Sequence, residues 1–318
     1  VTTPRSASST AALLLVQRLV ETPAAPLKAS EYWSVLEAVG DPARLLGAEA
    51  SEIADVLGVD RAFAERVARL LDAATAFAFG VEELEQAGTG LVGSLDDDYP
   101  SALLDRLGRA APPLLHVAGD VRLLQADLLG IVGSRDVGPD GAMVARTAAV
   151  HAVEHGFGVV SGGAKGVDRL SMTAALDGGG SVVAVLADAL VATLRDPDVR
   201  RAIGDGSLCV CTPYKPTAGF TVANAMGRNK LVYALARATL VVAAEPGTGG
   251  TWAGAVEALE RHVAPVLVWC GAGASAGNAL LVERGGVPID DLARLFPLPS
   301  GPGASVPSEA RRQLAFDV

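Results

Sequence analysis

The chain has 318 residues, half of them hydrophobic, with 36 glycines, few aromatics and a formal net charge of −10. That length suits one large domain plus a smaller one, and the balance argues against a disordered chain and against a broadly basic nucleic-acid binder. No apolar run reaches about 18 residues, so no membrane-spanning helix is expected, and three cysteines without framework spacing (Cys209, Cys211, Cys270) suit a reducing, cytoplasmic setting with no metal site.

Residues 1–88 read as a small all-helical domain. The opening VTTPRSASSTAALLLVQRLVE lacks a clean signal-peptide cleavage site and fits an amphipathic helix, with Leu13, Leu14, Val16, Leu19 and Val20 as its stripe. Trp33, Leu36 and Val39 mark a second helix, ended by Gly40-Asp41-Pro42, and a third helix is expected from about Asp60 to Phe77. Short helices joined by turns such as Leu57-Gly58-Val59 are the style of helix-hairpin-helix or sterile-alpha-motif modules, which serve either DNA-backbone contact or protein interaction. Residues 89–127 hold Asp96-Asp97-Asp98 and several prolines and read as an extended connector packing on the next domain. That domain covers residues 128–297, and 298–318 read as a flexible tail.

From Leu128 the pattern alternates. Strands are expected at 128–133, 157–161, 181–187, 207–212, 239–244 and 265–270, with helices near 139–155, 166–178, 224–237, 250–262 and 276–284. Continuous apolar runs such as SVVAVLA imply strands buried on both faces. The fold class is therefore α/β, an extended Rossmann-like, doubly wound and mostly parallel sheet preceded by the helical domain.

Three strand-to-helix turns carry glycine: Gly133-Ser134-Arg135, the loop from Ser161 through Gly162, Gly163 and Lys165 to Gly166, and Pro246-Gly247-Thr248-Gly249-Gly250-Thr251. Helix N-termini expose N–H groups and partial positive charge, so turns gathered at one sheet edge make an anion site. Neither G-x-G-x-x-G nor G-x-x-x-x-G-K-[ST] is present at these turns, which removes the common dinucleotide and ATPase ligands. The four histidines (His116, His151, His155, His262) form no H-E-x-x-H pattern, no catalytic residue is expected, and Asp168 reads as a brace for the second loop. From Gly206 to Ala244 there is no Asp or Glu, while Lys215, Arg228, Lys230 and Arg237 lie there; this is either a solvated basic face or a local phosphate-binding one.

These motifs, in this order, resemble the DprA/Smf family: Gly133-Ser134-Arg135, the Ser161–Asp168 loop, Arg228-Asn229-Lys230 and the strand Leu240–Ala243, with Asp98-Tyr99-Pro100 and Pro112-Pro113 before them. The resemblance spans roughly residues 30 to 290. It implies non-enzymatic binding of single-stranded DNA, a homodimer, and loading of the RecA recombinase. Carried over, Arg135, Lys165, Arg228 and Lys230 would neutralise phosphates, Asn229 would position the strand, and Gly133, Ser134, Ser161, Gly162 and Gly163 would complete the cradle. Further candidates are Phe220, Lys215, Gly249, Gly250 and Thr251. Family members often carry a base-stacking aromatic where this chain has Ala225, with Phe220 nearby. A second resemblance, of the Pro246–Thr251 loop to LOG-type nucleotide hydrolases, leaves a nucleotide-binding protein open. It lacks that family's Glu, since Gly254 stands there and the nearest is Glu257. A scaffold whose glycines only permit tight packing is the third reading.

Overall fold

The computed structural model describes residues 5–22 and 24–299, so the expected tail lies, from residue 300 on, outside the described residues. The chain divides at residues 118/119 into two compact units, the short return 212–216 belonging to the first.

In the first unit, helices α1 (Ala7–Val16), α2 (Ala29–Val39), α3 (Ala50–Leu57), α4 (Arg61–Leu71) and α5 (Ala74–Gln86) precede strand β1 (Gly90–Gly93), helix α6 (Ser101–Leu107) and strand β2 (Leu114–Gly119). The sequence places the caps: the Ser6 hydroxyl accepts the Ser9 N–H, Asp60 accepts from Phe63, and Gly58 ends α3 in the left-handed region at φ +62°. Two expectations are corrected here. Helix α1 is buried nearly all round rather than along one stripe, and Leu19 and Val20 lie beyond its end. The helix expected from Asp60 to Phe77 is two, broken between Leu71 and Ala74.

Nor is 89–127 a plain extended connector. Strands β1 and β2 pair antiparallel, Leu91 opposite His116, because the run Leu114–Ala118 is apolar enough to be buried residue after residue. The acidic run there is partly structural, since the Asp96 carboxylate accepts from the Gly93 N–H, the Ser9 hydroxyl and the Arg5 guanidinium.

The second unit runs β3 (Leu128–Val132), α7 (Pro139–Glu154), β4 (Gly158–Ser161), α8 (Val167–Asp177), β5 (Val182–Val185), α9 (Leu190–Thr193), α10 (Pro197–Gly204), β6 (Leu208–Thr212), α11 (Val222–Leu235), β7 (Ala238–Val241), α12 (Gly249–Glu260), β8 (Val266–Trp269), α13 (Ala276–Glu283) and β9 (Val287–Ile289). Its strands lie in the order β6-β5-β4-β3-β7-β8-β9, parallel throughout. Strands β3 to β8 are buried at every position, as their continuous apolar runs predict. Helices α9 and α10 and strand β9 were not anticipated from sequence, α9 having four residues and β9 three around Pro288.

His116 sits in β2 at 2 % exposure. Burial pushes its imidazole down from 6.5 to about 4, and the backbone of Tyr214 and Thr212 offsets this only a little, without a well-formed hydrogen bond. A folded value below the unfolded one means stability present above pH 6.5 and lost as pH falls toward 4, by up to about 3 kcal/mol. Denaturant titrations across that window should therefore show a flatter pH dependence for His116→Gln than for the unsubstituted chain. An unchanged slope would mean that His116 takes up its proton as readily in the folded chain as in the unfolded one.

Candidate functional site

Strand β3 is flanked by β4 on one side and β7 on the other, and successive connections run outward from it in both directions. Doubly wound sheets open a crevice at such a reversal, beyond the carboxyl ends of the strands. The turns after β3, β4 and β7 converge there. Helix α11, which links β6 to β7, lies over β5, β4 and β3 on the way and brings its middle turns to the same place. The result is a crevice of about 630 Å³ walled by all four segments.

At its base Arg228 and Asp168 face each other, Nη1 to Oδ2 at 3.9 Å, with residue exposures of 5 % and 6 %. Burial pushes the Asp168 carboxyl up, while Arg228 and the backbone of Ala164 and Gly162 pull it back. The Ala164 N–H reaches Oδ2 at 3.3 Å, so Asp168 does brace the second loop. Gly162 lies directly over the guanidinium: a Cβ there would fall 1.4 Å from Arg228 Nη1, a position no side chain can share. Gly166, at φ +82°, would place a Cβ 2.3 Å from the Ser134 carbonyl oxygen, locking the first two turns together.

The anticipated cradle residues divide accordingly. Arg228 is buried with its Nη1 3.9 Å from Asp168, and it also lines the crevice. The Ser161 hydroxyl donates to the Ile131 carbonyl at 2.6 Å and is buried between strands. Lys230 reaches Glu257 at 3.1 Å and is not part of the crevice wall. Asn229 donates to the Gly250 carbonyl at 2.9 Å, tying α11 to the first turn of α12, and Thr251 donates to the Gly133 carbonyl at 3.0 Å.

At the rim stand exposed groups. The Arg135 guanidinium lies over the Phe220 ring, 5.4 Å from its centroid, and Phe220 is half exposed. Lys165, 80 % exposed at the side chain, is 3.4 Å from Asp136. The Ser134 oxygen accepts the Asp136 N–H, shaping the first turn. Gly133 and Ser134 line the crevice, as do Gly249 and Gly250, whereas Gly162, Gly163 and Lys165 are not on its wall. Lys215 is exposed and belongs to the first unit.

Among the wall residues that sequence reasoning missed are the aromatic Trp252 and Tyr233. Their signals were legible: Trp252 directly follows the Gly249-Gly250-Thr251 turn, and Tyr233 stands four residues after Asn229, on the same helical face. Gly254, the position of the other family's carboxylate, faces Tyr233 and Asn229. A Cβ there would lie 3.2 Å from Tyr233 Cε2 and 3.3 Å from Asn229 Cβ, so no longer side chain fits without displacing them. Glu257 is held by Lys230 and Arg261.

Comparison with known proteins gives one family model, DNA recombination-mediator protein A, matching residues 90–296. The chain is 32 % identical over 268 residues to the DprA-type DNA processing protein of Mycobacterium tuberculosis, covering 74 % of this chain and 67 % of the relative. It is 31 % identical over 157 residues to the DNA processing protein DprA of Streptococcus pneumoniae, covering 49 % and 54 %. In fold it is similar to the crystal structure of the Streptococcus pneumoniae protein, with TM-score 0.62, 23 % identity, and 84 % and 96 % of the two chains covered. It is also similar to DNA processing protein A from Helicobacter pylori, described for its single-stranded DNA binding mode, with TM-score 0.53, 22 % identity, and coverage of 64 % and 92 %.

Removing one member of the buried pair leaves the other charge uncompensated. Arg228→Met is expected to lower unfolding stability by roughly 3–5 kcal/mol in denaturant titration, and adding Asp168→Asn to recover at least half of it. A neutral Arg228→Met would show that the pair does not hold the loop.

Proposed function

Because the chain belongs to the DNA recombination-mediator protein A (DprA/Smf) family, we propose that it binds single-stranded DNA along the crevice rim, without catalysing a reaction on it. The observation that carries this reading is the exposed Arg135–Phe220 pair at the carboxyl edge of the sheet. A guanidinium resting on an aromatic ring offers a flat, cationic surface, and only unstacked bases can use one. Phe220 thus takes the part that Ala225, half-buried on α11, has no ring to play. Lys165, exposed beside the same turn, extends the positive rim, and the Gly133 and Ser134 turn brings backbone within reach of a phosphate.

Arg228 and Asp168 lie below this rim, at the base of the crevice. The chain's excess acid does not oppose the reading, because a charge farther than about 8–10 Å through salt solution contributes little at the rim. In a recombination mediator such a rim would present a strand to a recombinase, RecA by the family's habit, and pairing of two copies would lengthen the path. Both extensions belong to the proposal.

Fluorescence anisotropy with labelled oligo-dT tests it. The unsubstituted chain should bind at low salt, with log K falling linearly against log salt. Arg135→Glu should weaken binding by about tenfold or more, and Phe220→Ala by about 1–3 kcal/mol. Absence of binding at low salt, or binding indifferent to salt, would sink the reading.

A further inference from the structure

Among the described residues four charged side chains stand on the crevice wall, Arg135, Asp168, Arg228 and Glu245. Asp168 and Arg228 are buried and face each other, and the Arg135 guanidinium lies over the Phe220 ring. Glu245 differs from all three: it is exposed, and no hydrogen bond or ion pair reaches its carboxylate among the described residues. A lone carboxylate repels phosphates. On the path of a polyanion it is therefore of use only against the part of the strand that carries no charge, its bases.

The chain holds Glu245 from a fixed base. After β7 the residues Val242, Ala243 and Ala244 stay buried, and Glu245 is the first to be exposed. The Ala244 N–H donates to Asn278 Oδ1 at 2.9 Å and to Ser275 Oγ at 2.8 Å. Asn278, 1 % exposed, donates in turn to the carbonyls of Val242 and Trp269, at 2.9 and 2.7 Å. Gly277 presses on the backbone at both sides of Glu245: a Cβ there would lie 2.2 Å from the Ala244 carbonyl oxygen and 3.0 Å from the Pro246 nitrogen. Pro246 itself restricts the residue before it to extended backbone. A side chain on so constrained a support gives up little freedom when it meets a partner. The same wall carries exposed apolar side chains, Phe220 with Val222 and Met226 of α11, which suit the faces of unstacked bases and offer nothing to a phosphate.

We propose that Glu245 reads guanine in a bound single strand, an inference that rests on the strand-binding reading above. An unpaired base exposes its Watson–Crick edge. Of the four DNA bases only guanine sets two N–H donors side by side there, N1–H and the exocyclic amine, and a carboxylate accepts both at once. Cytosine and adenine set their amino group beside a ring nitrogen that is an acceptor, and thymine sets its one N–H between two carbonyls. Each of these three brings a lone pair against the carboxylate. The apolar side chains take the face of the base and Glu245 takes its edge, so the crevice adds a sequence preference that phosphate contacts cannot supply.

Anisotropy titrations with dT oligomers of one length, plain or carrying dG, deoxyinosine, dC or dA at regular intervals, test it. The dG oligomer is expected to bind at least about fivefold more tightly than plain oligo-dT. Deoxyinosine keeps N1–H but lacks the amine, and its oligomer should fall between the two. The ratio of dG to plain oligomer should hold from about 50 to 200 mM salt, because both carry the same phosphates. Glu245→Ala should bring the two to within about twofold of each other while tightening plain oligo-dT, since a negative charge has left the path of the phosphates. Glu245→Gln, whose amide has one acceptor oxygen in place of two, should lose most of the preference. Equal binding of the dG and plain oligomers by the unsubstituted chain overturns the inference and leaves strand binding standing. So does a dG preference that survives Glu245→Ala, or a Glu245→Ala that shifts every oligomer by one common factor. Failure of every oligomer to bind at low salt overturns the strand-binding reading, and this inference with it.

Discussion

The site hangs on one buried contact, Arg228 against Asp168 beneath Gly162. Two charges in a protein interior are tolerated only when each compensates the other and the remaining polar atoms are satisfied. Asp168 comes from the second loop and Arg228 from α11, so their contact couples the two segments. Gly162 is dictated by the same contact, because the guanidinium fills the volume a Cβ would need. A loop that looks built to wrap a ligand is in this part built around an arginine.

That constraint separates two kinds of positive charge that composition counts alike. Arg228 lies buried against Asp168, and Lys230 is paired with Glu257 of α12. Arg135 and Lys165 stand at the surface, where a ligand can reach them. An acidic chain can thus keep a small positive rim while its crevice is balanced.

Much of this architecture was legible in the order of residues. The strands β3 to β8 declared themselves as apolar runs, and the three glycine turns marked where the sheet's carboxyl edge would be. The resemblance carried by Gly133-Ser134-Arg135 and Arg228-Asn229-Lys230 pointed to the family that the wider comparison gives. Less legible were elements whose stability comes from partners. Strands β1 and β2 hide among prolines and acids, and α9 has too few residues to show a period. Trp252 and Tyr233 were marked only by their neighbours, the Gly249-Gly250-Thr251 turn and Asn229, and by no pattern of their own.

By itself, then, the sequence determined the fold class, the positions of the turns and the types of residue available to bind an anion, because these depend on local backbone chemistry and hydrophobic period. The tertiary structure alone decided which of those residues face a ligand. Residues 133, 168, 228 and 250 are far apart in the chain and meet only because α11 crosses over the sheet to the β3/β7 reversal. Burial is a property of that meeting: it sets Arg228 at the base of the crevice against Asp168, and leaves Arg135, which sequence ranks beside it, at the surface.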